Sequence, residues 1–370
     1  MTLLNDLYRD YDQSPWIDNI RRDWLDDGTL VRLVDQGVRG VTSNPSIFAK
    51  AFATSAAYDG ALARLGDVSD EELFEALAVE DVRDACDVLA GVYADATERS
   101  RRGERRHGDG FVSLEVSPRL ARDTVATVAA ARRLAGAVGR ANLMIKIPAT
   151  LEGLPAVSEV LGLGINVNVT LIFSLARYGE VIDAWLEGLE RARDAGRDLS
   201  SLASVASFFV SRVDTAVDSL LAEGDPRRGT TAVAQAAAAY RLYRDRVAGS
   251  RASALLAAGA QVQRPLWAST STKNPAYDEL IYVDHLVGAE TVNTMPDATL
   301  AAAFDHGDFD RSALLDPVTT DDVASALSRL DGVDLDHVTA RLEADGVEAF
   351  ASSYDELLAT VATKRAALAS

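Results

Sequence analysis

Lys146 stands inside a short apolar run, NLMIKIPAT (142–150), that otherwise has the composition of a buried β-strand. Successive side chains of a strand point to opposite faces, so Lys146 faces away from Ile145 and Ile147. A buried cation is unfavourable unless it is paired or has a chemical task. A lysine amine that loses its proton can attack a ketone and form a Schiff base, and the iminium then accepts electrons when a carbon–carbon bond breaks. Lys146 is therefore a candidate catalytic residue.

Two further apolar runs, FVSLEVS (111–117) and INVNVTLIF (165–173), show the same alternation of polar and apolar side chains. We expect the apolar sets to face surrounding helices and the polar sets to share one interior. The residues expected to face the helices are Val112, Leu114, Val116, Leu143, Ile145, Ile147, Ile165, Val167, Val169 and Leu171. Those expected in the interior are Ser113, Glu115, Ser117, Met144, Lys146, Asn166, Asn168 and Thr170.

Other runs carry polar residues toward their C-terminal ends, namely Asp18, Asn44, Ser207 and Ser269. Cleavage beside a carbinol needs a base for the hydroxyl proton, and imine formation and hydrolysis need a positioned water with an acid/base partner. Asp18 and Glu115 could divide these roles. The residues therefore predict a Schiff-base lyase or transferase.

Other chemistries have less support. The four histidines, at positions 107, 285, 306 and 337, lie outside the predicted strands, which argues against a histidine-rich metal site and a Ser-His-Asp triad. Cys86 lies in a segment with helical periodicity and is interpreted as a small core residue.

Eight short apolar runs alternate with longer segments of helical periodicity, which predicts βα units and parallel strands. The runs cover residues 14–20, 40–46, 111–117, 142–149, 165–173, 203–211, 264–270 and 290–296. Eight such units favour a (β/α)₈ TIM barrel, whose active site lies at the C-terminal ends of the strands. A doubly wound sheet is the alternative, but no glycine-rich turn follows the first run, and Gly162 and Gly164 precede a strand.

The segments between the runs predict helices over 117–139, starting at Ser117, and over 174–196, starting at Ser174. Residues 100–110, SRRGERRHGDG, are interpreted as a solvated loop. From about residue 308 the pattern is helical and amphipathic, without strands. We expect one domain over residues 1–370, a barrel with additional N- and C-terminal helices.

The formal net charge of −19 argues against non-specific nucleic-acid binding, which needs clustered Lys and Arg. The first residues, MTLLNDLYRDYDQSPW, lack the basic and apolar regions of a secretory signal, and no apolar run approaches the roughly 20 residues that span a bilayer. The sequence therefore predicts a cytoplasmic protein without a membrane segment. It leaves open whether the chain is a monomer or a homodimer.

The motifs GVTSNPSIF, VSLEVSP, NLMIKIPAT with EGLPAV, NVNVTLIFS, ASVASFFVSRVD and VNTMP resemble the transaldolases, in particular the longer bacterial type. The resemblance runs from about residue 14 to 300 and includes every predicted strand. It implies transfer of a dihydroxyacetone unit from sedoheptulose 7-phosphate to glyceraldehyde 3-phosphate, giving erythrose 4-phosphate and fructose 6-phosphate. It also implies sugar phosphate substrates and no metal or organic cofactor.

The resemblance implies roles for individual residues. Lys146 matches the Schiff-base lysine and Asp18 the acid/base at the cleaved carbinol. Glu115 and Thr170 match the pair that holds the water used in imine formation. The matches for residues that hold the substrate are Asn44, Asn168 and Ser207.

For the phosphate, Arg212 in SFFVSRVD matches the first phosphate arginine of the family, although a surface pair with Asp214 is the alternative. Many transaldolases carry Ser-x-Arg in the seventh loop, where this chain reads ASTSTKNP. Ser269 fits that pattern, and Lys273 is the candidate for the second cation. A lysine binds phosphate as a point charge, so donor preference and affinity are expected to differ.

Three alternatives remain. The related fructose 6-phosphate aldolases are shorter and typically place Tyr at the position of Glu115, which favours transfer here. A metal-dependent aldolase is disfavoured because the histidine cluster is missing. A barrel without catalysis that serves as a binding module would be expected to have lost some of the interior polar groups, which are all present.

Overall fold

The computed structural model describes residues 2–64 and 68–369. Seven of the eight predicted runs form strands in this part of the chain, and all seven belong to one parallel sheet. The strands are β1 (Gln13–Ile17), β2 (Val112–Glu115), β3 (Leu143–Pro148), β4 (Val167–Ile172), β5 (Ser204–Phe209), β6 (Gln263–Ala268) and β7 (Thr291–Met295). The order across the sheet is β1-β7-β6-β5-β4-β3-β2.

Helices separate the strands and form the outer layer. They are α1 (Leu3–Tyr11), α2 (Arg22–Asp26), α3 (Thr29–Asp35), α4 (Pro45–Thr54), α5 (Asp59–Arg64), α6 (Asp70–Val88), α7 (Ala90–Arg101), α8 (Thr124–Val138), α9 (Gly153–Gly162), α10 (Leu175–Asp194), α11 (Ser211–Asp218), α12 (Thr231–Ala248), α13 (Ser250–Ala257), α14 (Ile281–Asp284), α15 (Asp297–His306), α16 (Pro317–Ala324) and α17 (Leu335–Ala369). Short 3₁₀ turns cover Ala56–Tyr58, Pro118–Leu120, Leu199–Ser201, Phe309–Arg311 and Ser325–Arg329. None of the helices in the described part of the chain has the length and apolar character needed to span a bilayer.

The run at 40–46 does not form the predicted strand. Only Val41 makes isolated parallel bridges, to Ile17 of β1 and to Val112 of β2. Asn44 then caps α4, because its side chain accepts from the backbone N–H of Ile47 and Pro45 occupies the first helical turn. The two edge strands of the curled sheet therefore both bond to the same short segment.

The strand alternation places polar side chains in the interior of the curl. Asn168 donates to Ser113 Oγ at 3.0 Å and accepts from Ser207 Oγ at 2.7 Å, so side chains of β2, β4 and β5 meet there. The alternation stops at Leu171, which has a φ of 61° where the register of β4 and β5 shifts. Leu171 lies against α17.

Of two predicted helix starts, one is confirmed and one is wrong. The helix over 174–196 begins as predicted, with Ser174 as N-cap, and α10 ends at Asp194. The helix predicted from Ser117 begins instead at Thr124, because Asp123 accepts from the N–H of Ala126 and Pro118 starts only a 3₁₀ turn. Cys86 is buried in α6, as predicted, and Gly162 is the last residue of α9.

The prediction of a solvated loop over 100–110 is wrong at its C-terminal end. Asp109 is fully buried at the N-terminal ends of the strands. It accepts from Ser14 Oγ at 2.5 Å, Trp16 Nε1 at 3.0 Å, Arg39 Nε at 2.9 Å and Arg264 Nη2 at 3.4 Å. We call these five residues the basal cluster. Its two arginines hold the pKa of Asp109 down, to about 2, against the effect of burial.

The amphipathic tail predicted from about residue 308 is helical, and its main element is the 35-residue helix α17. This helix packs against α4, α5, α6 and α11 and against the end of β4. Gly346 allows the approach to β4, because a Cβ there would lie 3.2 Å from Leu171 Cδ2. The tail therefore returns across the C-terminal ends of β2 to β5.

Candidate active site

A cavity of about 240 Å³ opens at the C-terminal ends of the strands. Eight of the ten predicted site residues line it, whereas Glu115 and Asn168 do not. The eight are Asp18, Asn44, Lys146, Thr170, Ser207, Arg212, Ser269 and Lys273. A larger cavity of about 1050 Å³ lies beside α12 at the opposite strand ends, and none of the predicted site residues lines it.

The register of the sheet explains how the residues around Lys146 meet. Glu115 pairs with Lys146 across β2 and β3, and Lys146 pairs with Asn168 across β3 and β4. Side chains in register on neighbouring parallel strands point to the same face. The three residues therefore form one layer of the interior, and Thr170 lies two residues after Asn168, nearer the C-terminal end of β4.

Lys146 is almost fully buried. Its amine donates to the backbone carbonyl of Ser43 at 3.1 Å and lies 3.7 Å from Glu115 Oε2, too far for a hydrogen bond. The ring of Phe350 lies over the amine, with 5.7 Å between Nζ and the ring centroid. The amine thus has one hydrogen bond, a carboxylate neighbour beyond hydrogen-bond distance and an aromatic ring on one side.

Two carboxyl groups near this amine hold their protons more strongly than usual. Burial raises the pKa of Glu115 to about 7; the charge of Lys146 opposes this shift and that of Asp18 adds to it. Burial also raises the pKa of Asp18, against the charge of Lys146 and a hydrogen bond of 2.6 Å from Thr42 Oγ1. Groups with raised pKa values near neutrality suit proton transfer. We call Asp18, Glu115 and Lys146 the lysine cluster.

Two oxygen atoms of this region are buried without a hydrogen-bond partner among the described residues. They are Glu115 Oε2 and Thr170 Oγ1. Buried polar atoms are almost always paired, with protein or with water. Each of the two atoms could therefore accept a hydrogen bond from a bound polar molecule.

The phosphate candidates lie at the same cavity. Within the described ranges Arg212 has no hydrogen bond or ion pair to another residue, and its guanidinium lies 5.5 Å from the ring centroid of Phe209. The alternative pairing with Asp214 is absent, because that carboxylate accepts from Tyr282 Oη and the N–H of Ala232. Burial lowers the pKa of Lys273, and the nearby charge of Arg212 lowers it further. Two neighbouring cations without a carboxylate partner among the described residues are an arrangement that suits an anion.

Some residues of the cavity were missed by the sequence reasoning. Thr42, Phe209 and Thr294 line it. Thr42 lies two positions before Asn44 and Phe209 two positions after Ser207, so strand alternation applied to those two runs would have found them. No residue of the run at 290–296 was assigned to the interior, so Thr294 had no such signal. Phe350 had no such signal, since it lies on α17, about 200 positions from Lys146 in sequence.

No group of three or more His, Cys, Asp and Glu side chains with metal-ligand geometry occurs in residues 2–64 and 68–369.

Comparison with known proteins gives a consistent result. The family described as Transaldolase/Fructose-6-phosphate aldolase matches residues 15–361. A protein of Acidothermus cellulolyticus named transaldolase is 51% identical over 359 residues, which cover 94% of this chain and 93% of that protein. A protein of the same name from Thermobifida fusca is 50% identical, and the match covers 95% of this chain and 95% of that protein. Another, from Saccharopolyspora erythraea, is 48% identical, and the match covers 94% of each chain.

The family match includes β2 to β7 completely, most of β1 and most of α17, and the relatives cover nearly the whole chain at about half identity. A match of this length and identity establishes membership of a family. The chain therefore belongs to the transaldolase/fructose-6-phosphate aldolase family.

Proposed function

We propose that the chain is a transaldolase, which moves a dihydroxyacetone unit from sedoheptulose 7-phosphate to glyceraldehyde 3-phosphate through a Schiff base on Lys146. The observation that carries this proposal is the lysine cluster: a buried amine in a cavity, 3.7 Å from a carboxyl group whose pKa is raised to about 7. The names of relatives at about 50% identity support the same reaction. Erythrose 4-phosphate and fructose 6-phosphate are then the products, as in the non-oxidative pentose phosphate pathway.

In this proposal Glu115 and Thr170 hold the water of imine formation and hydrolysis. Both present buried oxygen atoms without a protein partner, Oε2 and Oγ1, which a water molecule would satisfy. A carboxyl group with a pKa of about 7 can release and take back the proton of that water in each half-reaction.

Asp18 is the proposed base at the carbinol whose carbon–carbon bond is cleaved. Its raised pKa makes its carboxylate a stronger base than an exposed aspartate, and the hydrogen bond from Thr42 fixes its orientation. The iminium on Lys146 takes up the electron pair of the broken bond, and the acceptor aldehyde then receives it.

Three residues are proposed to hold the dihydroxyacetone hydroxyls. The side-chain carbonyl of Asn44 accepts from Ser46 and Ile47, which leaves its amide hydrogens for a substrate oxygen. Ser207 lines the cavity and is oriented by Asn168. Asn168 donates one amide hydrogen to Ser113, so its second is the one available to the substrate.

The phosphate group is proposed to bind between Arg212 and Lys273, with Ser269 beside them. The absence of a carboxylate partner for Arg212 in the described ranges supports this assignment, as does the position of Lys273 in the lining of the same cavity. A guanidinium binds two phosphate oxygens at once, whereas the ammonium contributes a single charge. Arg212 is therefore expected to contribute more to affinity.

We also infer that residues 39–42 act as the eighth strand and close the curled sheet into a (β/α)₈ barrel within one domain. The bridges of Val41 to both edge strands support closure. So do the hydrogen bonds from Ile17 N to Gly40 O at 3.0 Å and from Val41 N to Phe111 O at 2.9 Å. A closed barrel leaves no sheet edge exposed.

The second candidate function is release of free dihydroxyacetone from fructose 6-phosphate, since the family description includes such aldolases. Glu115 argues for transfer, because the aldolases typically place Tyr at this position. The two reactions share the Schiff base and differ in which molecule removes the three-carbon unit.

The Schiff base is tested by reduction with borohydride in the presence of fructose 6-phosphate. We expect a three-carbon adduct on Lys146, located by peptide mass spectrometry, and inactivation that follows its yield. Turnover by a protein whose adduct maps to another residue would contradict the mechanism.

Transfer and release are separated by supplying fructose 6-phosphate with and without erythrose 4-phosphate. We expect sedoheptulose 7-phosphate only when both are present, and little free dihydroxyacetone without the acceptor. Efficient release in the absence of an acceptor would favour the aldolase instead.

A further inference from the structure

The helix α17 contacts three elements that carry proposed site residues. It packs against α4, which Asn44 caps, against β4, which carries Thr170, and against α11, which carries Arg212. The contact with α4 is the most extensive of these. The helix therefore forms part of the wall around the cavity as well as an outer layer of the fold.

Polar contacts hold α17 on both sides of its midpoint. Glu343 pairs with Arg177 of α10 at 3.1 Å, and Asp355 pairs with Arg119 at 2.6 Å. Tyr354 Oη donates to Glu71 of α6 at 2.9 Å. These contacts lie on both sides of Phe350 in the sequence, so this part of α17 is held against the fold and the ring of Phe350 has a defined position.

Phe350 is the residue of α17 that reaches the cavity, as far as the described residues show. It is 8% exposed, and its ring centroid lies 5.7 Å from Lys146 Nζ. The same cavity is lined by polar side chains, among them Asp18, Thr42 and Thr170, and by the aromatic ring of Phe209. A phenyl ring attracts an ammonium or iminium over its face but neither donates nor accepts a proton.

We propose that Phe350 is a specificity residue that keeps solvent from protonating the three-carbon adduct on Lys146, so that an acceptor aldehyde removes the unit. This inference rests on the proposed function. Release of dihydroxyacetone needs a proton from solvent on the nucleophilic carbon of the adduct, whereas in transfer that carbon bonds to the acceptor aldehyde. The protonated adduct is then hydrolysed by the water proposed to bind Glu115 and Thr170, and the carbon–nitrogen bond breaks so that Lys146 leaves as the amine. The ring of Phe350 occupies space over the lysine nitrogen, next to the adduct, from which solvent would deliver that proton.

The test compares the full-length protein with Phe350→Ala and Phe350→Leu. Fructose 6-phosphate is supplied with and without erythrose 4-phosphate, and free dihydroxyacetone and sedoheptulose 7-phosphate are measured. We expect the ratio of release to transfer to rise by roughly tenfold in Phe350→Ala, or about 1.4 kcal/mol in relative barrier. The rise should be smaller in Phe350→Leu, which keeps most of the apolar volume and also covers the case in which the alanine variant fails to fold.

The matched control is Leu357→Ala. Leu357 is fully buried on α17, two turns after Phe350, and it does not line the cavity. Its truncation should lower stability and leave the ratio unchanged. An unchanged ratio in both Phe350 variants would overturn the proposal, and so would an equal rise in Leu357→Ala, since the effect would then come from a loosened helix.

Borohydride trapping separates this proposal from the function on which it rests. An adduct on Lys146 in the parent and in both Phe350 variants, with an unchanged ratio, would contradict only the role of Phe350. No adduct in the parent would contradict the Schiff base and, with it, the inference.

Discussion

The two ends of the sheet interior each hold a buried cluster of charges, with opposite consequences. In the basal cluster, Asp109 accepts four hydrogen bonds, two of them from arginines, and its pKa falls to about 2. In the lysine cluster, Glu115 has one cation at 3.7 Å and an oxygen without a partner in the described chain, and its pKa rises to about 7. Both carboxyl groups are buried. The number of donors around each therefore decides whether the carboxyl group is fixed as an anion or remains able to exchange a proton.

The comparison predicts first that the lysine cluster serves chemistry and contributes little to stability. Lys146→Met should lower kcat by roughly 10⁴-fold or more, because no other group supplies the amine of the Schiff base. Circular dichroism and the denaturation midpoint should remain close to those of the parent. Lys50→Met, at an exposed lysine of α4, is the matched control and should keep full activity. If Lys146→Met unfolded, the lysine cluster would also be needed for stability, and its contrast with the basal cluster would be lost.

The basal cluster should behave in the opposite way. Asp109→Asn leaves Arg39 and Arg264 without their buried counter-charge, and loss of one partner of such a cluster costs about 3–5 kcal/mol of unfolding free energy. Urea denaturation measures the loss, and kcat per folded molecule should change little. Asp87→Asn, which removes an exposed carboxylate paired with Arg140, is the control and should leave the midpoint unchanged. A large fall in kcat with unaltered stability would reverse the assignment of the two ends.

The pH dependence of stability should differ in sign between the two carboxyl groups. The folded pKa of Glu115 is above its unfolded value, so its contribution is present below pH 4.5 and is lost as the pH rises through about 7. Asp109 has a lowered pKa, so its contribution is present above pH 3.8 and is lost as the pH falls through about 2.

Glu115→Gln should therefore become more stable relative to the parent, by about 1–3 kcal/mol, as the pH rises from about 5 to about 8. Urea unfolding of both proteins at the two pH values measures this difference. Asp109→Asn should show a constant deficit over the same range, since that carboxyl group does not titrate there. A parent that gains stability relative to Glu115→Gln with rising pH would contradict the raised pKa.

The cations of the two ends should also differ, because Arg39 and Arg264 are neutralised by Asp109 whereas Arg212 has no such partner in the described chain. Arg212→Met should raise the KM for erythrose 4-phosphate by on the order of 100-fold, and Lys273→Met by about tenfold, with smaller effects on kcat. Steady-state kinetics with unphosphorylated glyceraldehyde as acceptor is the control, since neither variant should change its KM. Equal effects on both acceptors would exclude a phosphate site.

The sequence alone predicted much of this interior. Parity placed Glu115, Lys146 and Thr170 on one face, because alternation along a strand is a local property that any buried sheet imposes. Lys273 and Arg212 lie beside the same cavity because the C-terminal ends of parallel strands share one edge. What each of these residues does in catalysis stays a prediction until the variants are measured.

The errors have physical causes that a local pattern does not contain. Residues 40–46 read as a strand, yet only Val41 bridges, since the capping of α4 by Asn44 ends the extended segment early. The polar loop at 100–110 looked solvated, and Asp109 is buried because its partners come from Arg39 and Arg264, far away in sequence. Phe350 was missed for the same reason, since helical periodicity predicts α17 without indicating what the helix crosses.

The position of α17 along the chain has a consequence for synthesis of the protein. All seven strands and Lys146 leave the ribosome before the helix that carries Phe350 has been made. The contacts of α17 with α4 join residues about 300 positions apart, so they form only after the residues of α17 have been made. A nascent chain that stops before Phe350 can therefore possess the reactive lysine while lacking the wall above it, and the cavity is completed only once α17 has been made and has packed.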